Sequence, residues 1–340
     1  MTDTLKAVPD PPAEKGVVVA GASAGGVEAL VALVSSLPAD FPFALLVVLH
    51  VAPTGTSVLA SILDRAGRLP AESAIDGDRL HPGRVYVAPP DCHLVVEDGS
   101  LRLSQAPREN GHRPAIDPTM RTAAAAFDGR AIGIVLSGSR DDGTAGMIAI
   151  KDHGGLTIVQ DPDEALYPAM PRSAMSHVAV DAVLPISRMA EWILAHAGRP
   201  APSPIAGGAP PPADELPNPG PPDRAQREGE GTRFTCPDCG GVLFEHHEGA
   251  LERFECSVGH AFSIESLSGA QAEELEGALW AAVRSLEDRA SLLLRMADRA
   301  RSGDHRSSAR LFDRQAQDAL ERARTIRDAI SGIGRPEEVA

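Results

Sequence analysis

The sequence predicts an α/β fold: a doubly wound, mainly parallel sheet, followed by a small cysteine–histidine module and an α-helical hairpin. Three observations carry this. Over residues 16–197, short runs rich in Val, Ile and Leu alternate with helix-period patterns. That alternation marks a parallel sheet covered on both faces. Three cysteines and a histidine cluster between Cys236 and His260, after a stretch dominated by Pro and Gly. Two long heptad-like patterns then close the chain.

Taken in order, residues 1–15 are polar and proline-bearing, a disordered lead-in. Val17–Ala20 reads as a buried strand, followed by a Gly-rich turn and a helix over 26–36. Ala44–Leu49 is a second strand ending at His50, and Val58–Arg65 is helical. Arg84–Ala88 is a strand, and His93–Gln105 a hairpin about Asp98-Gly99. Pro118–Phe127 is helical and Ala131–Leu136 a strand. A helix over 144–153, a strand over 156–160, a helix near 172–177, a strand near 182–185 and a helix over 188–197 complete the domain. Residues 198–231 form a Pro/Gly-rich linker, unable to bury enough surface to offset its ordering entropy. The cysteine module covers 232–267 and the helical hairpin 268–332.

The chain has 340 residues, a net charge of −15 and only 4% aromatics. The charge argues against a broad grip on nucleic acid or anionic lipid. The core must be mainly aliphatic. No apolar run approaches the roughly 18–20 residues that span a bilayer, and the N-terminus lacks a secretory pattern. A cytoplasmic protein without direct membrane insertion is expected.

Sites on parallel sheets lie at the carboxyl ends of the strands. The first strand runs into Gly21-Ala22-Ser23-Ala24-Gly25-Gly26, which fits G-x-S-x-G, a nucleophile on a sharp strand-to-helix turn. Small neighbours let the turn tighten, and the helix N-terminus offers N–H groups to an oxyanion. A nucleotide phosphate suits such a turn equally well, but it predicts an acidic residue ending strand two, where His50 stands. The strand at 132–136 delivers Ser137-Gly138-Ser139-Arg140-Asp141-Asp142-Gly143 before a helix; either aspartate is also a natural cap. Serine, histidine and aspartate at three strand ends suggest nucleophile, general base and orienting carboxylate.

With these segments in hand, residues 16–197 resemble the catalytic domain of the CheB-type protein-glutamate methylesterases of bacterial chemotaxis. The resemblance is carried by VVVAGASAGGVEAL at 17–30, LLVVLHVAPTGTSVLASIL at 45–63 and DGDRLHPGRVYVAPPDCHL at 76–94. GHRPAIDPTM at 111–120, IGIVLSGSRDDGTAGMIAIKDHGG at 132–155 and DPDEALYPAMPRSAM at 161–175 extend it. It implies hydrolysis of γ-glutamyl methyl esters on methylated chemoreceptor signalling domains, with deamidation of receptor glutamines in many members, and no cofactor for catalysis. It places Ser23 on the family's nucleophile, His50 on its base and Asp142 on its triad aspartate. Ala24 departs from the family's usual threonine, and Gly138–Gly143 from its Gly-Met-Gly-Asn-Asp-Gly loop. Only 16 residues precede Val17, so control by an N-terminal receiver domain in cis is not expected. Amides near Ala24–Gly26 or in the 138–140 loop are candidate oxyanion donors, and Arg113 and Met170–Arg172 candidate cleft residues.

Cys236-x₂-Cys239 and Cys256-x₃-His260 have the spacing of a structural zinc site in a zinc-ribbon-like module. Four protein ligands close the coordination sphere, so the zinc is structural and metal-free reduced thiols are the alternative. His246 and His247 are secondary candidates. In the hairpin, Leu275, Leu279, Ala282, Leu286, Ala290, Leu293 and Ala297 face Phe312, Ala316, Ala319, Ala323, Ile326 and Ile330, about a turn at Ser302–Asp304. Two helices bury one face each, so a homo-oligomer or helical partner through 268–332 is expected, or packing on the module itself. The function expected is a serine methylesterase of chemoreceptors; the alternative is a catalytically silent adaptor acting through its C-terminal half.

Overall fold

Three consecutive valines, Val17–Val19, begin β1 (Val17–Ala22), and all six of its residues are buried. β-Branched side chains favour the extended backbone, and burial on both faces makes this the middle of a sheet. The computed structural model describes residues 16–54, 57–196, 231–248 and 251–333. The expected lead-in (1–15) and, apart from Gly231, the expected linker (198–231) lie outside the described residues.

From β1 the chain runs through α1 (Gly26–Ser36), β2 (Ala44–Leu49), α2 (Leu59–Ala66), β3 (Ala71–Ser73) and β4 (Val85–Val87). A hairpin of β5 (His93–Glu97) and β6 (Ser100–Ser104) leads to α3 (Ile116–Phe127) and β7 (Ala131–Val135). Then come α4 (Thr144–Asp152), β8 (Leu156–Gln160), α5 (Ala169–His177), β9 (Ala182–Leu184) and α6 (Ile186–His196). Among the described residues the main sheet has seven strands in the order β3-β4-β2-β1-β7-β8-β9. Every neighbouring pair is parallel.

Alternation along the strands sorts the core into two layers. Val17, Val19, Leu46 and Val48 pack with Met120, Ala123, Met147 and Met170 on one face. Val18, Ala20, Leu45 and Val47 pack with Leu30, Leu33, Leu63 and Ile193 on the other. Strand order reverses between β1 and β7, because the chain builds outward from β1 on one side before returning to β7. That switch point is where an open α/β sheet leaves a crevice.

Two helices start earlier than their sequence signals. α3 begins at Ile116 and α5 at Ala169; Pro118 and Pro171 each fall in a first turn, where a missing N–H costs nothing. β3 is only three residues, Ala-Glu-Ser, none fully buried, and too polar to show as a strand.

Downstream, β10 (Gly231–Thr235), β11 (Val242–Glu248), β12 (Leu251–Cys256) and β13 (Ala261–Ser263) form an antiparallel four-stranded sheet. Residues through Leu267 make one compact unit, and Ser268 onward a second. The small sheet therefore belongs with the large one.

α7 (Ile264–Ser302) and α8 (Arg306–Ile333) contribute the helices of the second unit. Its apolar seam joins Val283, Ala290 and Leu293 to Ala316, Ala319 and Ala323. Val283 takes the seam place expected of Ala282, because 279-283-286-290-293-297 keeps strict four- and three-residue steps. Leu275, expected in the seam, is 54% exposed.

Candidate active site

The turn after β1 lifts Ser23 over the crevice. Gly25, at φ 69°, is in the left-handed region that a side chain would resist. Gly138 faces it across the switch point: a Cβ there would lie 1.9 Å from Met170 Sδ and 3.0 Å from Ser23 Cβ. The ladder between strands continues into both loops. Ser23 N–H donates to Ser137 O at 3.0 Å and His50 N–H to Ala22 O at 3.3 Å.

Ser23, His50 and Asp142 converge. His50 Nδ1 lies 3.1 Å from Ser23 Oγ, and His50 Nε2 lies 2.7 Å from Asp142 Oδ2. With Asp142 ionised, Nε2 carries the proton and Nδ1 is the acceptor for the serine hydroxyl. The two ring nitrogens thus exchange the places they hold in the trypsin-type triad. The His50 side chain is 5% exposed and that of Asp142 2%.

Asp142 is held entirely by donors. Oδ2 also accepts from Ile116 N–H at 2.7 Å, and Oδ1 from Asn110 Nδ2 at 2.9 Å and Gly143 N–H at 3.1 Å. Burial pushes its pKa up, but the hydrogen bond and charge of His50 and the Ile116 amide outweigh it and hold Asp142 well below the usual carboxylate range. His112 stacks on His50; burial, then the neighbouring His50, push its own pKa down to about 3. It is a neutral ring at physiological pH.

Beneath Asp142 lies a second buried acid, Asp117. Oδ1 accepts from the Gly143 and Gly146 amides at 2.9 and 2.8 Å, and Oδ2 from Asn110 Nδ2 at 2.9 Å and an Arg253 guanidinium nitrogen at 3.2 Å. Burial and then the Asp142 charge raise its pKa, while Arg253 and Arg121 oppose that rise. All four of its partners donate, the arrangement a carboxylate requires.

A cleft of about 490 Å³ opens at Ser23 and His50, lined also by Val51, Arg108, His112 and Arg113. Arg113 is at the same time tied to Asp91 Oδ1 at 2.8 Å and to the Gln105 and Ala106 carbonyls, each at 2.9 Å. Met170 is fully buried, packed under Gly138, and does not line this cleft. Two amides offered for an oxyanion are already engaged: Gly26 N–H donates to Ser23 O and Gly138 N–H to Tyr167 O, both at 2.9 Å. Those of Ala24, Gly25 and Ser139 remain candidates. Arg140, where the family loop has glycine, takes φ 64°, a backbone conformation that costs a side-chain-bearing residue roughly 1–2 kcal/mol.

Cys236, Cys239, Cys256 and His260 also come together, their ligand atoms all within 4.8 Å of one another. Cys236 Sγ and Cys256 Sγ lie 3.6 and 3.5 Å from His260 Nδ1, and Cys239 Sγ lies 3.6 Å from Cys256 Sγ. Tetrahedral zinc at ordinary bond lengths sets such atoms about 3.6–3.8 Å apart, so the donor set fits that ion. His246 and His247 lie in β11, opposite Arg253 and Glu252, and are not among these ligands.

Asn110, His112, Asp117 and Arg253 are absent from the candidates read in the sequence. Asp117 looks there like an acid serving a helix dipole. GHRPAID, which carries His112 and Asp117, was the one available signal.

A family model described as CheB methylesterase matches residues 18–193. A protein-glutamate methylesterase/protein-glutamine glutaminase of Anaeromyxobacter dehalogenans is 42% identical over 183 residues, which are 54% of each chain. A putative one of Leptospira interrogans is 36% identical over 52% of this chain and 92% of its own. The chain spans about half the length of several curated relatives, such as the first and that of Pyrococcus horikoshii, 52% of which is covered. The crystal structure of the Thermotoga maritima CheB methylesterase catalytic domain aligns with TM-score 0.51 and 34% identity, over 53% of this chain and 97% of that one. On this match, over a segment that holds Ser23, His50 and Asp142, the chain belongs to the CheB methylesterase family.

Proposed function

We propose that residues 16–197 are a serine hydrolase that removes methyl groups from glutamyl esters of methylated chemoreceptor signalling domains, with deamidation of receptor glutamines by the same chemistry. The observation that carries this reading is the hydrogen-bonded line from Ser23 Oγ to His50 to Asp142, at 3.1 and 2.7 Å, in a member of this family.

In the first half-reaction Ser23 Oγ attacks the ester carbonyl while His50 Nδ1 takes its proton. Asp142 holds the imidazole in the required tautomer and stabilises the imidazolium. The tetrahedral oxyanion is met by backbone amides, Ala24 the nearest to the nucleophile in sequence. Collapse breaks the bond to methoxide, which leaves as methanol with the proton from His50. Water then attacks the acyl-serine, His50 again taking a proton, and releases glutamate and Ser23. With a glutamine substrate the leaving group is ammonia and the remaining steps are the same.

Cys236, Cys239, Cys256 and His260 would hold one zinc ion, making 232–267 a zinc ribbon. The ion would supply folding free energy to a module with little core of its own. The helices over 268–332 offer Leu292, Leu294 and Leu311 at 60%, 43% and 45% exposure, which favours a second copy or a helical partner there. No helix among the described residues is long and apolar enough to cross a membrane, in keeping with a cytoplasmic site of action on the receptor.

Methanol release from a methylated receptor signalling domain, native chain against Ser23→Ala, tests the reading. Release by the native chain that disappears in the variant is expected. No release from several receptors by the native chain would overturn it.

A further inference from the structure

The small four-stranded sheet lies outside the segment matched by the family, 18–193, yet it reaches the shell of Asp142. Arg253, in β12, has a side chain only 3% exposed; it bridges Asp117 Oδ2 at 3.2 Å and Glu109 Oε2 at 3.1 Å. Ser263 N–H donates to Asn110 Oδ1 at 3.1 Å, and Asn110 N–H donates to Ala261 O at 2.7 Å. Ser266 Oγ donates to Asp141 Oδ1 at 2.6 Å. Four separate groups of the 251–267 segment (the Arg253 side chain, Ala261 O, Ser263 N–H and Ser266 Oγ) thus end on neighbours of Asp142.

The chemistry of these contacts is specific. A carboxamide has two ends, and an acceptor bond from Ser263 N–H fixes which one faces Asp142. Both hydrogens of Asn110 Nδ2 are then directed to carboxylates, one to Asp142 Oδ1 and one to Asp117 Oδ2, each at 2.9 Å. The Gly143 amide is likewise shared between the two acids, at 2.9 and 3.1 Å. Two carboxylates on common donors in a dry core repel each other, and without a countercharge one of them takes up a proton. A protonated Asp117 would donate where it now accepts, and the Asn110 and Gly143 groups that hold Asp142 would have to turn. Arg253 is the cation in direct contact with Asp117. Within the family domain, Arg121 is already engaged with Glu109.

We infer that the cysteine–histidine sheet completes the active site: Arg253 is a positioning residue for Asp142, acting through Asp117 and Asn110. The inference rests on the esterase reading above. It assigns the C-terminal module a part in catalysis, so that loss or displacement of the ribbon lowers the activity of a triad whose own residues are untouched.

The test uses the full chain and two readouts. One is the rate at which a fluorophosphonate labels Ser23, which needs no receptor. The other is kcat and KM for methanol release from a methylated receptor signalling domain. Arg253→Gln is expected to lower labelling and kcat together by about ten- to a hundredfold, the scale of a small misplacement. KM should stay within about twofold, because Arg253 is not among the residues lining the cleft. Arg253→Lys, which keeps the charge, should recover part of the loss. An anchor with no bearing on the triad predicts the native labelling rate in Arg253→Gln, and that result would overturn the inference. If Arg253→Gln gives no folded chain, Arg253→Lys carries the comparison: labelling and kcat lowered together, by less than about tenfold, are expected, and the native labelling rate overturns the inference. A native chain that labels at Ser23 but releases no methanol refutes the substrate assignment and leaves labelling to decide the role of Arg253. A native chain that neither labels nor releases overturns both.

Discussion

His112 lies flat on His50, their ring centroids 3.7 Å apart and their planes within 13°. One face of the His50 ring is thereby covered by an uncharged ring. With its pKa near 3, His112 adds no charge to the site near neutral pH, so its contribution there is the shape of its ring.

That separates two substitutions. His112→Ala frees the His50 ring to rotate and should lower kcat by about tenfold. His112→Phe keeps a flat neutral partner and should retain most of kcat, with the acid limb of kcat against pH unmoved. A shift of that limb by a unit or more in His112→Phe would mean that His112 titrates in the working range.

Asp142 predicts how the fold responds to acid. Its pKa in the folded chain lies below that of an unfolded aspartate, about 3.9, so below neutrality the unfolded chain binds more protons there than the folded one. The stabilisation is complete above about pH 5 and is lost as pH falls through the folded value. Asp142→Asn should be about 2 kcal/mol less stable than the native chain at pH 7, with the gap narrowing by pH 3, as read from urea midpoints. Its kcat should fall by about 10⁴-fold. A stability gap that does not change with pH would show that Asp142 is not ionised in the fold.

Gly138 couples the core to Ser23. In Gly138→Ala the new methyl would meet Met170 Sδ at 1.9 Å and Ser23 Cβ at 3.0 Å, and Met170 is fully buried. A loss of about 1–3 kcal/mol is expected from overpacking, with a fall in Ser23 labelling by fluorophosphonate. Met170→Ala in the same chain should restore much of both. Failure of that second change to help would place the strain elsewhere in the loop.

Metal analysis of the purified chain should return about one zinc per chain, and clearly less in Cys239→Ser. Chelation should lower the melting temperature and, through Arg253, the rate of Ser23 labelling. Full labelling in a chain stripped of metal would separate the fold of the small sheet from the reactivity of Ser23.

Much of this is legible in the sequence where topology alone sets position. Ser23 and His50 follow directly on β1 and β2, and Asp142 lies in the loop after β7, so reading the strands is enough to bring the three to one crevice. Val17–Val19 and Ala44–Leu49 announce themselves as unbroken apolar runs. β3 does not, because an edge strand of Ala-Glu-Ser has no apolar pattern. Val283 is missed in favour of Ala282 because a one-residue shift of phase on a long helix leaves most of the pattern intact. Arg253 is illegible for a different reason: it lies 136 residues from Asp117, and no local pattern records an ion pair of that span. Asn110 is hidden likewise, since its role depends on a backbone amide, Ser263 N–H, which any residue but proline would supply.

The backbone bonds that tie Ser23 to Ser137 and His50 to Ala22 have a consequence for how such a chain tolerates change. They extend the ladder of β2-β1-β7 into the loops that carry Ser23 and His50, so the separation of these two residues is set by the repeat between strands, about 4.8 Å, and not by which aliphatic side chains fill the layers above and below. Substitutions that preserve the ladder can accumulate in those layers without moving the reacting atoms relative to one another. The interior is free to drift while the frame of the chemistry stays put.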